Sequence, residues 1–130
     1  MAQRGIACGA SGQYAEALEH WKRADLHAQE HVADAEISKW VRNGLGAAYC
    51  DVGQYEMAVA CAEDVRQWCL SLRQPLASIT LVRSLIALGR HAQAAGYLAE
   101  LVALGRADPL EYFTPAERPA VEPLIRAMAK

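Results

Sequence analysis

From Tyr14 the apolar positions run Tyr14, Ala17, Leu18, Trp21, Ala24, Ala28 and Val32, in steps of three and four. That is one stripe of an amphipathic helix. Glu16, Glu19, Lys22 and Arg23 fill the polar side. No Gly or Pro interrupts residues 13–43, and one helix of that length is out of proportion in a small domain. The pattern therefore predicts a break near residues 32–34, with Asp34 as N-cap of the next helix.

That next helix is expected over residues 35–51, on Ile37, Val41, Leu45, Ala48 and Tyr49, and Gly53 supplies the turn. A third, over residues 54–72, carries Tyr55, Ala58, Val59, Ala62, Val65 and Cys69. Met57, Cys61 and Trp68 form a second stripe on it, read as core packing or as a partner-binding patch. Pro75 suits the first turn of a fourth helix, where its missing N–H costs nothing. That helix reads Leu76, Ile79, Leu81, Val82, Leu85, Ile86, Leu88, apolar almost all round, with Arg83 its only charge. Such a helix is covered on several sides. Gly89 turns the chain again, and residues 92–104 form the next helix.

Past Gly105, four prolines (Pro109, Pro115, Pro119 and Pro123) punctuate the chain. Thr114-Pro115-Ala116-Glu117 reads as a capping box with Pro at the first helical position. Pro119 is expected to interrupt what starts there. Val121, Leu124, Ile125 and Met128 then give a closing helix over residues 120–129, the lid that a terminal repeat needs.

The turn segments repeat. Gly12-Gln13-Tyr14-Ala15-Glu16-Ala17 returns as Gly53-Gln54-Tyr55-Glu56-Met57-Ala58, and more weakly as Gly89-Arg90-His91-Ala92-Gln93-Ala94. Periods of this size mark helical-repeat arrays. Leu45-Gly46-Ala47-Ala48-Tyr49, followed by Ala58, resembles the tetratricopeptide repeat, a helix–turn–helix of about 34 residues. The resemblance gives Gly46 and Ala58 the role of small residues where paired helices approach. Gly53 would end the first helix of the pair as a left-handed cap. The first copy matches at Gly5, Cys8, Gly12, Tyr14, Ala17, Trp21 and Ala24; the third at Leu81, Val82, Leu85, Gly89, Ala94 and Leu98. Arg42 stands where the family favours Trp, and Ala62 where an aromatic is common. The first spacing exceeds the family norm. It is similar to the long-helix variants of kinesin light chains and many bacterial regulators.

The expected fold is thus an all-α superhelix of six to seven antiparallel helices. It forms one domain, with repeats at about residues 1–32, 34–72 and 75–104 and a capping segment at 109–130. A generic α-solenoid or helical bundle is the alternative.

Composition narrows the function. Hydrophobic residues are 53% of the chain, so disorder is excluded. A net charge of −2 without a basic run argues against nucleic acid. Cys8, Cys50, Cys61 and Cys69 form no C-x-x-C, and they read as buried thiols of a reducing cytoplasm. No stretch has the length of a signal peptide core or a membrane span. His20, His27 and His31 share a helix face, which reads as a solvated face in preference to a metal site. No nucleophile elbow or phosphate loop is present. The chain is expected to be non-catalytic and to need no cofactor.

In tetratricopeptide arrays the first helix of each pair lines a concave groove. Carried over, the groove set is Trp40, Asn43, Ala47, Cys50, Ile79, Arg83 and Ile86. Some members clamp a peptide carboxylate with Lys and Asn side chains; only Asn43 and Arg83 suit that role here. An apolar surface of this kind fits an amphipathic helix or extended peptide. The expected partner is a protein or peptide. The alternatives are a self-associating regulatory domain of a bacterial signalling or transcriptional protein, or cover by the C-terminal tail.

Overall fold

The structure, a computed structural model, describes residues 10–31 and 35–128. The chain is all-α: α1 (Ala10–His31), α2 (Ala35–Asp51), α3 (Tyr55–Ser71), α4 (Leu76–Ala87), α5 (His91–Leu104), a 3-10 turn (Pro109–Tyr112) and α6 (Arg118–Met128). The described residues include no strand. Each helix packs on its successor, and α2 also packs on α4. This is the contact pattern of a helical array, in which each added pair covers the last.

The turns explain the order. After α2, Gly53 adopts φ 85°, its N–H reaches Cys50 O at 3.1 Å, and Gln54 N–H reaches Tyr49 O at 2.9 Å. Those two bonds are a Schellman motif, which satisfies the last carbonyls of the helix. Gly89 repeats it after α4, with bonds to Ile86 O and Leu85 O. A third copy closes α3, with Arg73 at φ 58° in the glycine's place. The expected turn at Gly12 does not exist, because α1 begins at Ala10 and runs through it. Ala10, Ala15 and Ala17 are strong helix formers and carry the helix past a glycine that costs about 1 kcal/mol. The break at residues 32–34, its N-cap Asp34, and the first-copy positions Gly5 and Cys8 lie outside the described residues.

Two clusters form the core. One joins Leu18 of α1 to Leu45, Ala48, Tyr49 and Cys50 of α2 and Ala58 and Cys61 of α3. The other joins Ala62, Val65 and Cys69 to Ala77, Leu81, Val82 and Leu85, then to Ala94, Leu98 and Leu101, and ends on Phe113 and Val121. Each fully buried Leu or Val contributes about 1.5–3 kcal/mol. As its all-round apolar sequence implied, α4 is enclosed, packing on α2, α3 and α5. At Gly46 an added Cβ would lie 3.2 Å from Cys61 Cβ and 3.5 Å from Ala58 O, so α2 and α3 touch there.

The capping segment is built as a box. Thr114 N–H donates to Glu117 Oε1 at 2.9 Å and Glu117 N–H to Thr114 Oγ1 at 3.3 Å. Pro119 does not interrupt α6, because it sits in the first turn, where no N–H is needed. The 3-10 turn was not expected. Asp108 caps it through Leu110 N–H at 3.1 Å, with Pro109 as its first residue.

A polar ladder joins α3 and α5. Glu56 pairs with Arg90 at 2.8 Å, the Tyr97 hydroxyl donates to Glu63, and Arg66 pairs with Glu100. At the far end Arg73 donates to Leu104 O and Arg106 donates back to Arg73 O, each at 2.8 Å.

Candidate functional site

The face of α2 that carries Asn43, Ala47 and Cys50 advances by four and three residues, which makes it one stripe. Asn43 is only 2% exposed and Cys50 only 3%, and α2 packs on α4. The Ser84 hydroxyl of α4 lies beside the Cys50 thiol, although no geometrically complete hydrogen bond joins them. Burial pushes the thiol's pKa up, and the nearby Arg83 charge does not reverse this. Cys50 is therefore a packed thiol and not an activated nucleophile. The Asn43 amide makes no hydrogen bond through either of its polar atoms.

Arg83 is held within the chain. Its Nε donates to Glu117 Oε2 at 2.7 Å, and its Nη1 lies 3.4 Å from Asp51 Oδ1. Burial opposes its charge, but the Glu117 hydrogen bond and the two carboxylates raise its pKa further. Ile79 and Ile86 pack half-buried against the larger core cluster. The predicted set is thus divided: Asn43 and Cys50 are buried, Arg83 is paired, and Trp40 lies open.

Trp40 is 44% exposed. Its ring meets Trp68 of α3 edge-on, with centroids 5.0 Å apart and planes at 83°. Lys39 Nζ lies 5.8 Å above the Trp68 ring. Ile37, one turn before Trp40, and Leu72, one turn after Trp68, are also exposed. The start of α2 and the end of α3 therefore present three exposed apolar side chains, Ile37, Trp40 and Leu72, around the half-buried Trp68 and beside one cation. Of the second stripe on α3, Cys61 is core, Met57 is exposed, and Trp68 packs half-buried on the larger core cluster while it meets Trp40.

A second feature lies between α1 and α3. Arg42 of α2 reaches Asp25 Oδ2 of α1 at 3.1 Å and Asp64 Oδ2 of α3 at 2.8 Å. Gln29 donates to Asp25 Oδ2 at 2.8 Å. These side chains, with Ser38, Lys39 and Val65, line an open cavity of about 260 Å³. Sequence reasoning noted Arg42 only as a departure from the family pattern. Its partners stand 17 and 22 residues away, beyond any local spacing rule.

Among the described residues no group of three His, Cys, Asp or Glu side chains could hold a metal ion, and no helix is long and apolar enough to cross a membrane. No family model, curated protein or solved structure matches the chain.

Proposed function

We propose that this chain is a non-catalytic, tetratricopeptide-like module that binds another protein. The exposed Trp40, set edge-on against the half-buried Trp68, carries the reading. Tryptophan is the residue type most enriched among energetically dominant interface positions. Ile37 and Leu72 extend the patch, and Lys39 gives it a basic edge suited to an amphipathic helix with acidic flanks. Side-chain bonds Arg66–Glu100 and Tyr97–Glu63 tie α3 to α5, and Arg83–Glu117 ties α4 to the capping segment. Ties of each element to the next support the reading as a helical-repeat array. The binding surface proposed here is shifted from the groove inferred on family grounds. It keeps Trp40 and adds Ile37, Trp68 and Leu72. A reducing, cytoplasmic setting suits the buried free thiols of Cys50, Cys61 and Cys69.

The test is affinity capture followed by mass spectrometry, with wild type beside Trp40→Ala. Both proteins should show the same helical circular dichroism, and the variant should lose the specific partners by more than about tenfold. Unchanged capture would reject the patch. Self-association through the same patch is the second reading, favoured by its mostly apolar character. Light scattering that shows a dimer for wild type and a monomer for Trp40→Ala would establish it.

A further inference from the structure

The crevice between α1 and α3 corresponds to the joint between α3 and α5, which the chain fills by itself. At the filled joint the Tyr97 ring lies 5.5 Å beneath the Arg66 guanidinium. Its hydroxyl donates to Glu63, and Arg66 is held by Glu100. A phenol is thus seated by a paired guanidinium over its ring and a carboxylate at its hydroxyl.

The same register at the first joint carries different residues. Counted from the repeated glycines, Glu100 and Asp64 both stand eleven residues after Gly89 and Gly53, and Arg66 and Asp25 both stand thirteen after Gly53 and Gly12. The ion pair of the filled joint therefore becomes two carboxylates. Lys22, ten after Gly12, stands where Glu63 receives the hydroxyl, so any carboxylate acceptor here belongs to a different position. Arg42 rises from α2 between Asp25 and Asp64 and neutralises both. Eight residues after its glycine, Tyr97 is matched by Cys61. That small residue is buried against Gly46, beside Arg42, Asp25 and Asp64, and it projects no ring into the gap. The cavity itself is open and bounded by Asp25, Gln29, Arg42, Asp64 and their neighbours.

Its chemistry selects the occupant. Arg42 and Lys39 balance Asp25 and Asp64, so the lining offers no net charge to an ion. About 260 Å³ lies below the roughly 300–1,000 Å³ of small-molecule sites, which favours a single side chain over a free metabolite. The Asp64 side chain is 58% exposed, and its carboxylate keeps acceptor sites beyond the one given to Arg42. We propose that this crevice seats a tyrosine side chain of a partner protein, with the ring against the Arg42 guanidinium and the hydroxyl donating to Asp64. The inference rests on the reading of the chain as a protein-binding module, and it adds a residue-specific subsite to it.

The test uses the full chain labelled with nitrogen-15 and two probes, N-acetyl-tyrosinamide and N-acetyl-phenylalaninamide. The tyrosine probe should give saturable amide shifts at Ser38, Lys39 and Asp64, with Kd on the order of millimolar. The phenylalanine probe should bind at least about fivefold more weakly, the value of one hydrogen bond. Asp64→Ala should bring the tyrosine probe down to that level, and Ser38→Phe, which fills the crevice, should abolish both. Equal binding of the two probes, no saturable shift, or shifts centred on Trp40 and Leu72 would overturn the proposal. A wild-type dimer that the tyrosine probe dissolves would assign the site to a second copy and overturn the partner assignment. Failure here beside intact, Trp40-dependent capture would remove the subsite and leave the binding-module reading standing.

Discussion

Arg83 on α4 donates to Glu117 across a separation of 34 residues, at 2.7 Å, and so ties the start of the capping helix to the middle of the array. Both side chains are mostly buried. Burial alone would raise the Glu117 pKa, but the hydrogen bonds from Arg83 and Thr114 and the Arg83 charge lower it. A carboxylate with a lowered folded pKa contributes stability above its ordinary range and loses it as pH falls through the folded value. Glu117→Gln is therefore expected to cost about 1 kcal/mol near neutral pH. Urea titrations of the two proteins at a series of pH values should converge on the acid side of the carboxylate range. A difference that persists there would mean that the charge is not the source.

Gly44 and Gly46 lie two residues apart and tolerate alanine differently. An alanine Cβ at residue 44 would lie 2.5–2.7 Å from three ring atoms of Trp21, whereas at residue 46 the nearest neighbour is Cys61 Cβ at 3.2 Å. The Trp21 ring must swing off α2 to make room, so overpacking of about 1–3 kcal/mol is expected for Gly44→Ala. For Gly46→Ala a smaller misfit is set against the helix-propensity gain of about 1 kcal/mol. Thermal melts should rank Gly44→Ala clearly below Gly46→Ala. The reverse order would place Trp21 elsewhere than on Gly44.

The helices were legible because their stripes and glycine turns are local. Apolar spacing and Gly53 locate α2 to its observed ends, and the all-round apolar face of α4 announces its enclosure. Gly12 misled because sequence repetition implied a turn, while the surrounding alanines favour helix. The candidate surface was less legible because it depends on long-range partners. Nothing local to Arg83 marks Glu117 as its acceptor, and nothing local to Arg42 marks Asp25 and Asp64. Asn43 and Cys50 were placed in a groove by family position, yet the direct packing of α2 on α4 buries them. Trp68 was visible as a stripe residue, but its contact with Trp40 needed the third dimension.

Tyr97 offers a spectroscopic check of the α3–α5 ladder. Its hydroxyl donates to Glu63, and this bond, with burial and the nearby carboxylate charge, pushes its pKa up to about 12 from 10. A raised folded value means the ladder's contribution is complete below the ordinary tyrosine value and is lost as pH rises through about 12. Ultraviolet titration should show a late tyrosine component that ionises at a pH of about 12. Tyr97→Phe should remove that late step, and Glu63→Gln should shift it down. A titration with no late component would mean that the hydroxyl faces water.

Asn43 separates a structural residue from a binding one. Its amide is buried on α2, where that helix meets α4, without a hydrogen bond. An unsatisfied buried amide costs about 1–3 kcal/mol, whereas an apolar group of similar shape does not. Asn43→Leu should therefore raise stability by about 1 kcal/mol, read as a higher urea midpoint at unchanged slope. If Asn43 instead serves a partner, the variant should keep that stability and lose capture, while Trp40 remains in place. If Asn43→Leu destabilises the chain, a buried water or an internal partner satisfies the amide, and α2 is pinned to α4 by a polar contact in addition to packing.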